Sequence, residues 1–254
     1  MDIKTLSSKD DVLVVLISNS DCVFVNTLRR AMMTEVPSLA VKTVTFVKNT
    51  SALFDEVIAH RLGMIPLLTD DSYILQDKCT CEKQGCAKCQ STLTLNCEGP
   101  LTVYAQDLKF QDPKVKSIYG KIPLVKLLKG QELEFEAKIT LGKGIDHAKY
   151  SPGLVYYRGY PSFEVGKKTL VKECIARCGG LLELKGEKLE VADFDKWNDF
   201  YEQVCEDHEI QIINSEKDFI MTIESFGKMT PQKMLEKALD VIDIKLDELN
   251  AELK

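Results

Sequence analysis

Phe24-Val25-Asn26-Thr27-Leu28-Arg29-Arg30-Ala31-Met32-Met33-Thr34-Glu35-Val36-Pro37, followed by Phe54-Asp55-Glu56-Val57-Ile58-Ala59-His60-Arg61-Leu62-Gly63-Met64-Ile65-Pro66-Leu67, decides how this chain is read. The first segment predicts a helix. Asp21 ahead of it is placed to accept from the first free amides, and Pro37 marks the stop because it pushes Val36 out of the helical region. Phe24, Leu28, Ala31 or Met32, and the stem of Glu35 fall on one side at helical spacing, while Arg29 and Arg30 leave by the flank. An apolar stripe of this kind serves either the chain's own core or a partner, and periodicity does not separate the two.

Outward from this helix, Asp11 to Ser18 is a nearly continuous apolar run that reads as a strand covered on both faces, and Leu39 to Lys48, rich in Val and Thr, reads as a second. Near the C-terminus, Phe219 to Glu224 predicts another strand and Thr230 to Leu253 a long helix, with Thr230 as cap and Pro231 in the first position, where no amide donor is needed. Leu235, Leu239, Ile242, Leu246, Leu249 and Leu253 follow one another at spacings of four, three, four, three and four. That is the seam of a coiled-coil-like contact, made either with the chain's own sheet or with a second protein.

An insertion begins near Asn49. It carries a cysteine cluster, strands over Thr92 to Asn96, Leu101 to Gln106 and Glu132 to Thr140, and two segments that read as exposed loop, Gly142-Lys143-Gly144 and Tyr150-Ser151-Pro152-Gly153. The glycine loop lacks the Lys-Ser/Thr ending of a phosphate loop, which argues against nucleotide binding. A third piece, Gly166 to Ile213, holds Cys174, Cys178, Trp197 and Cys205.

The 254 residues leave room for one to three domains, and 44% hydrophobic with 28% charged residues is ordinary globular composition. A net charge of -6 argues against gripping nucleic acid over the whole surface, since phosphate neutralisation needs a basic face. The start of the chain has no basic segment leading into a long apolar run, and no apolar stretch approaches the roughly 20 residues of a membrane span, so a cytoplasmic protein is expected. Of nine cysteines, Cys79, Cys81, Cys86 and Cys89 crowd into eleven residues as C-x-C-x4-C-x2-C. Two close thiolate pairs joined by a turn at Gly85 suit tetrahedral zinc, and four thiolates close the shell, which points to a structural rather than hydrolytic ion. Lys83 and Lys88 would offset its negative charge. Cys174-x3-Cys178 matches the end of a bacterial iron–sulfur run, but Lys168 and Val171 occupy the first two ligand positions and Gly179 the place of the proline. Cys22 and Cys97, in apolar patterns, are expected to pack as small hydrophobes. His60, His147 and His208 belong to no nucleophile or metal motif, and no carboxylate pair stands out, so no catalytic residue is assigned.

Residues 25–37 and 55–67 together resemble the signature of the alpha-like subunits of DNA-directed RNA polymerase, the family of the third-largest subunit of eukaryotic polymerase II, the bacterial alpha N-terminal domain and their archaeal counterpart, to which the resemblance is strongest. The cysteine cluster, Tyr150-Ser151-Pro152 and Phe219 to Gly227 extend the resemblance along the chain. It implies an α+β fold: a dimerisation domain made of residues 1–48 and 214–254, an insert domain over 49–165, and a ferredoxin-like third domain over 166–213 that binds an iron–sulfur cluster in many relatives. Here the ligand set is broken, Cys174 and Cys178 are its remnant, and no cluster is expected. The resemblance further implies a non-catalytic assembly subunit. Its apolar helices, through Phe24, Leu28, Leu235, Leu239, Ile242 and Leu246, would pair with the small alpha-like subunit, called L in archaea, and Arg29 and Arg30 would contact the second-largest subunit. Other small polymerase subunits would be neighbours, with no direct DNA binding and no membrane. The rival readings are an electron-transfer protein using Cys174, Cys178 and Cys205, and a zinc-dependent nucleic-acid binder, which the acidic balance disfavours.

Overall fold

Val12–Ser18 has almost no polar residue to turn toward water, and in the computed structural model it is an interior strand with neighbours on both edges. The structure describes residues 1–82, 84–165, 168–186 and 188–253. In chain order the elements are β1 (Asp2–Lys9), β2 (Val12–Ser18), α1 (Cys22–Thr34), β3 (Ser38–Asn49), α2 (Asp55–Gly63), β4 (Gln90–Glu98), β5 (Leu101–Tyr104) and β6 (Lys109–Phe110). There follow β7 (Pro123–Leu127), β8 (Glu132–Gly142), β9 (Gly153–Val165), α3 (Lys168–Arg177), β10 (Leu182–Lys185), β11 (Lys188–Val191), α4 (Asp199–Asp207), β12 (Ile210–Ser225) and α5 (Pro231–Glu252). Helices and antiparallel sheets are thus combined in one chain, as in an α+β protein.

The chain forms two compact units. The first comprises residues 1–29 and 155–224. Its sheet has the order β1-β2-β12-β9. Phe219, Met221 and Ile223 of β12 lie opposite Ile17, Val15 and Leu13 of β2, and all six are buried. β1 escaped sequence reading because Thr5, Ser7, Ser8 and Lys9 make it a polar edge strand. Residues 155–165, expected in the insert, instead belong to this sheet through β9. In the third piece, α3, α4 and the hairpin β10-β11 enclose a core of Val171, Leu182, Leu189, Trp197 and Ile210. Its expected first residue, Gly166, lies outside the described residues.

The second unit comprises residues 30–154 and 225–254. Its main sheet has the order β3-β8-β4-β6, with β5-β7 as a separate pair. Ile58 and Leu62 of α2 are fully buried in one core with Leu39, Val41, Leu93, Phe135 and Ile139. This is why the second signature segment reads Val-Ile-Ala-His-Arg-Leu: Ile58 and Leu62 are one helical turn apart and turn the same way, while His60 and Arg61 face out. A buried polar knot gathers distant segments of the unit. Ser38 Oγ donates to the Tyr150 carbonyl at 2.5 Å and accepts from Lys228 Nζ at 3.2 Å. Lys228 Nζ also donates to the Lys149 carbonyl. Thr69 Oγ1 accepts from the Leu39 amide at 3.1 Å, and the Thr69 amide donates to the Lys228 carbonyl at 2.9 Å. The loop expected to be exposed is therefore largely interior: Tyr150 is 5% exposed and Pro152 and Gly153 are buried. Gly142 makes this possible, because a Cβ there would stand 2.6 Å from the Tyr150 ring.

The end of α1 is fixed by charge. Glu35, expected to offer only its stem to an apolar face, accepts from Lys245 of α5 at 2.8 Å and from Lys143 at 2.9 Å. The Lys245 bond, followed by the Lys143 bond and both charges, outweighs desolvation and holds this carboxyl below its ordinary 4.5. A carboxyl with a depressed folded value stabilises fully above its unfolded pKa and loses that contribution as pH falls through the folded one. Glu35→Gln is expected to lower stability by about 1 kcal/mol at neutral pH and by almost nothing at about pH 3, read from urea denaturation midpoints.

Candidate functional site

The cysteine cluster occupies the stretch between a short 3-10 turn, Gln76–Lys78, and β4. The chain doubles back there through a turn in which the Cys81 carbonyl accepts from the Gln84 amide at 3.0 Å, and the Cys86 carbonyl from Cys89 and Gln90 at 3.0 and 2.9 Å. Gly85 has φ +87°, the left-handed region, and a Cβ there would stand 2.6 Å from Gln90 Oε1. The outcome is that four sulfurs converge: Cys79 to Cys86 is 3.6 Å, Cys81 to Cys89 3.5 Å and Cys86 to Cys89 3.9 Å. Thiolates about 2.3 Å from a tetrahedrally bound ion stand about 3.8 Å from one another. All four ligand atoms lie within 4.8 Å of one another, so the residues present fit such an ion. The Cys81 thiol is already lowered to about 7, chiefly by its hydrogen bond with Cys79 and then by the Gly85 amide, whereas burial pushes the Cys89 thiol up. Of the two lysines expected to balance the charge, Lys88 is exposed and Lys83 lies outside the described residues.

A second sulfur cluster lies in the first unit. Cys174 and Cys178 are one helical turn apart, and α4 brings Cys205 against them: Cys174 is 3.9 Å from Cys178 and 3.5 Å from Cys205. The three are 0%, 1% and 0% exposed. Burial pushes the Cys178 thiol up to about 11 and the Cys205 thiol higher still, so both are protonated at neutral pH unless a metal takes their place. Three convergent sulfurs offer a metal three ligands, one short of the four thiolates a four-iron cluster uses. Beside them, Trp197 Nε1 and Arg158 both donate to Glu202 Oε1 at 3.0 Å, and Arg158 also donates to the Trp197 carbonyl at 3.1 Å, which closes the piece over its thiols. Motif spacing linked Cys174 to Cys178 in the sequence, and the fold adds Cys205, grouped with them there only as a candidate.

The residues expected to face partners divide by exposure. In α1, capped by Asp21 Oδ1 accepting from the Phe24 amide at 2.7 Å, Phe24 is half-buried and Leu28 is 0% exposed. Leu28 is therefore part of the chain's own core and is not available to a partner, a correction to its expected place on a shared face. Arg29 is half-buried, with its Nε donating to Asn26 Oδ1 at 3.1 Å, and Arg30 is exposed. Along α5, Leu235, Leu239 and Ile242 are half-buried. Further on the helix emerges: Ile244, Leu246, Leu249 and Leu253 are 49%, 52%, 52% and 76% exposed. Cys22, expected to be packed, is exposed at the start of α1, whereas Cys97 is half-buried with its sulfur 3.7 Å from the Leu133 carbonyl. His147 Nδ1 accepts from the Lys149 amide at 3.0 Å, and His208 Nδ1 lies 2.6 Å from the Val204 carbonyl; both are local backbone contacts. No described helix is long and apolar enough to cross a membrane.

The family model of the RNA polymerase Rpb3/RpoA insert domain matches residues 44–154. Full-length similarity extends to proteins named DNA-directed RNA polymerase subunit Rpo3: 36% identity in Methanosarcina acetivorans, over 99% of this chain and 97% of the relative. The relative from Thermococcus kodakarensis is 36% identical over 100% of this chain and 98% of its own, and that from Pyrococcus furiosus 37% identical over 100% and 97%.

The difference in thiol exposure is directly measurable. With iodoacetamide on the reduced native protein, Cys22 is expected to be alkylated about 100-fold or more faster than Cys174, Cys178 and Cys205, which should react only after denaturant is added. Peptide mass spectrometry over time reads the four rates.

Proposed function

Because the chain belongs to the family of archaeal DNA-directed RNA polymerase subunits named Rpo3, we propose that it is a non-catalytic assembly subunit, cytoplasmic like the transcription it serves, and acts by surface complementarity. It pairs with the small alpha-like subunit, L, and the pair forms the platform on which the large subunits and other small subunits dock. The observation that carries this is α5: a helix of 22 residues whose apolar stripe is half-buried at Leu235, Leu239 and Ile242 and lies open at Leu246 and Leu249. Covering one open leucine is worth roughly 1.5 to 3 kcal/mol before ordering costs, and the a/d-like spacing suits a second helix. Phe24 also contacts the small alpha-like subunit in this reading, and Leu28 does not. Arg30, exposed, and Arg29, partly so, form the contact to the second-largest subunit, where guanidinium forks pair with carboxylates.

The insert domain is organised by a structural zinc held by Cys79, Cys81, Cys86 and Cys89, a reading supported by the sulfur spacing. The ion supplies cross-linking of a short polar loop and no chemistry on a substrate. The piece around α3 and α4 is a ferredoxin-like domain that has kept the remnant cysteines in its core and holds no iron–sulfur cluster. Residues 1–48 and 214–254 together form the dimerisation domain.

Leu239→Asp combined with Leu246→Asp is expected to abolish recovery of the small alpha-like subunit in a co-expression pulldown, and normal recovery would return the stripe to the chain's own core. Cys81→Ser with Cys86→Ser should take the zinc content, by elemental analysis, from about one ion per chain to about none. The same wild-type sample is expected to be colourless; a visible iron–sulfur band would instead favour the electron-transfer reading.

A further inference from the structure

In the second unit a cleft of about 330 Å3 is lined by Met64, Pro66, Tyr119, Lys149, Phe226 and Lys228, among others. Its rim is apolar and open: Met64, Tyr119 and Phe226 are 51%, 46% and 45% exposed. Its cations are unusual. Lys228 is 3% exposed, and its Nζ donates only to Ser38 Oγ and the Lys149 carbonyl, both neutral. Lys149 is half-buried, with its Nζ 5.3 Å from the centroid of the Tyr150 ring. Neither forms an ion pair among the described residues. Burial pulls the Lys228 ammonium down to about 8, which leaves most of it charged at neutral pH, and lowers Lys149 too. Elsewhere in the unit such cations are matched: Lys233 and Lys237 pair with Asp71, and Lys143 and Lys245 with Glu35.

A desolvated ammonium with no counter-charge is costly, and bonds to two neutral oxygens satisfy its donors without cancelling its charge. What favours a lysine is an anion that arrives later. A small free anion would use the cations and leave the apolar rim in water, whereas a polypeptide satisfies both. We propose that this cleft receives an aspartate or glutamate from another polypeptide of the polymerase assembly, with its carboxylate drawn to Lys149 and Lys228 and a neighbouring apolar side chain seated on Met64, Tyr119 and Phe226. The inference rests on the reading of this chain as an assembly subunit.

The test uses the full-length chain as tagged bait in a co-expressed, assembled polymerase, with Lys149→Glu, Lys228→Met and a benzoylphenylalanine photo-crosslinker at position 119. Wild type should recover the complete set of subunits. Each lysine variant should lose one and the same subunit by about tenfold or more at about 0.3 M salt. The photo-adduct should map beside an acidic residue of that subunit, and converting that acid to lysine should restore recovery with Lys149→Glu. Lys228→Met also removes two bonds of the knot at Ser38 and is expected to lower the melting temperature, so Lys149→Glu and the adduct separate lost docking from unfolding. Wild-type recovery with both lysine variants overturns the proposal, as does an adduct remote from any acid, or a cleft that protects against heat with added acetate or phosphate yet leaves assembly unchanged. If the wild-type bait recovers no polymerase subunit, it is the assembly reading that fails.

Discussion

The second unit depends on the buried knot at Ser38. Its hydroxyl, the carbonyls of Lys149 and Tyr150, the ammonium and carbonyl of Lys228, and Thr69 bring together the start of β3, the segment after α2, the connection from β8 to β9 and the approach to α5. These segments are as much as 190 residues apart in sequence. Polar groups buried this deeply are tolerated when each finds a partner, and a knot with several members admits few alternative registers. It is how a domain made from separated parts of one chain finds a single arrangement: residues 225–230 must return to the strand that follows α1 before α5 can begin.

Local rules made much of this readable in advance. Asp21 caps α1 and Thr230 caps α5, the latter accepting from the Lys233 amide at 3.3 Å, because capping is a matter between residues three apart. Val12–Ser18 announced itself by having no wet face. The misreadings have a common physical origin in contacts that a residue pattern does not display. β1 is held by pairing and carries little apolar signal, Tyr150 is interior because Gly142 leaves room for its ring, and Leu28 is buried where only a helical stripe was visible. The four-cysteine site was legible from spacing, since its ligands are neighbours; Cys205, 31 residues from Cys174, could be named as a candidate with Cys174 and Cys178 but not placed against them. Exposure likewise separates Cys22 from Cys97, although both sit in apolar runs.

The two sulfur clusters show how placement governs chemistry. At Cys79 to Cys89 the chain is polar, turns tightly, and has an amide aimed at Cys81 that lowers this thiol, while the four sulfurs stand at a spacing that suits a cation. Around Cys174, Cys178 and Cys205 the neighbours are Val171, Leu182 and Trp197, and burial favours the protonated thiol at Cys178 and Cys205, which pack as small apolar groups. The same residue type thus suits a cation in a polar turn and a packed core between two helices.

The open half of α5 has a consequence for the cell that makes this chain. Ile244, Leu246, Leu249 and Leu253 in water form an apolar surface of the kind that favours association, self-association included. Self-association grows with the square of the free concentration, whereas capture by the intended partner grows only in proportion to it. In the proposed pairing, balanced synthesis of the two polypeptides thus limits how much uncovered helix is left in water.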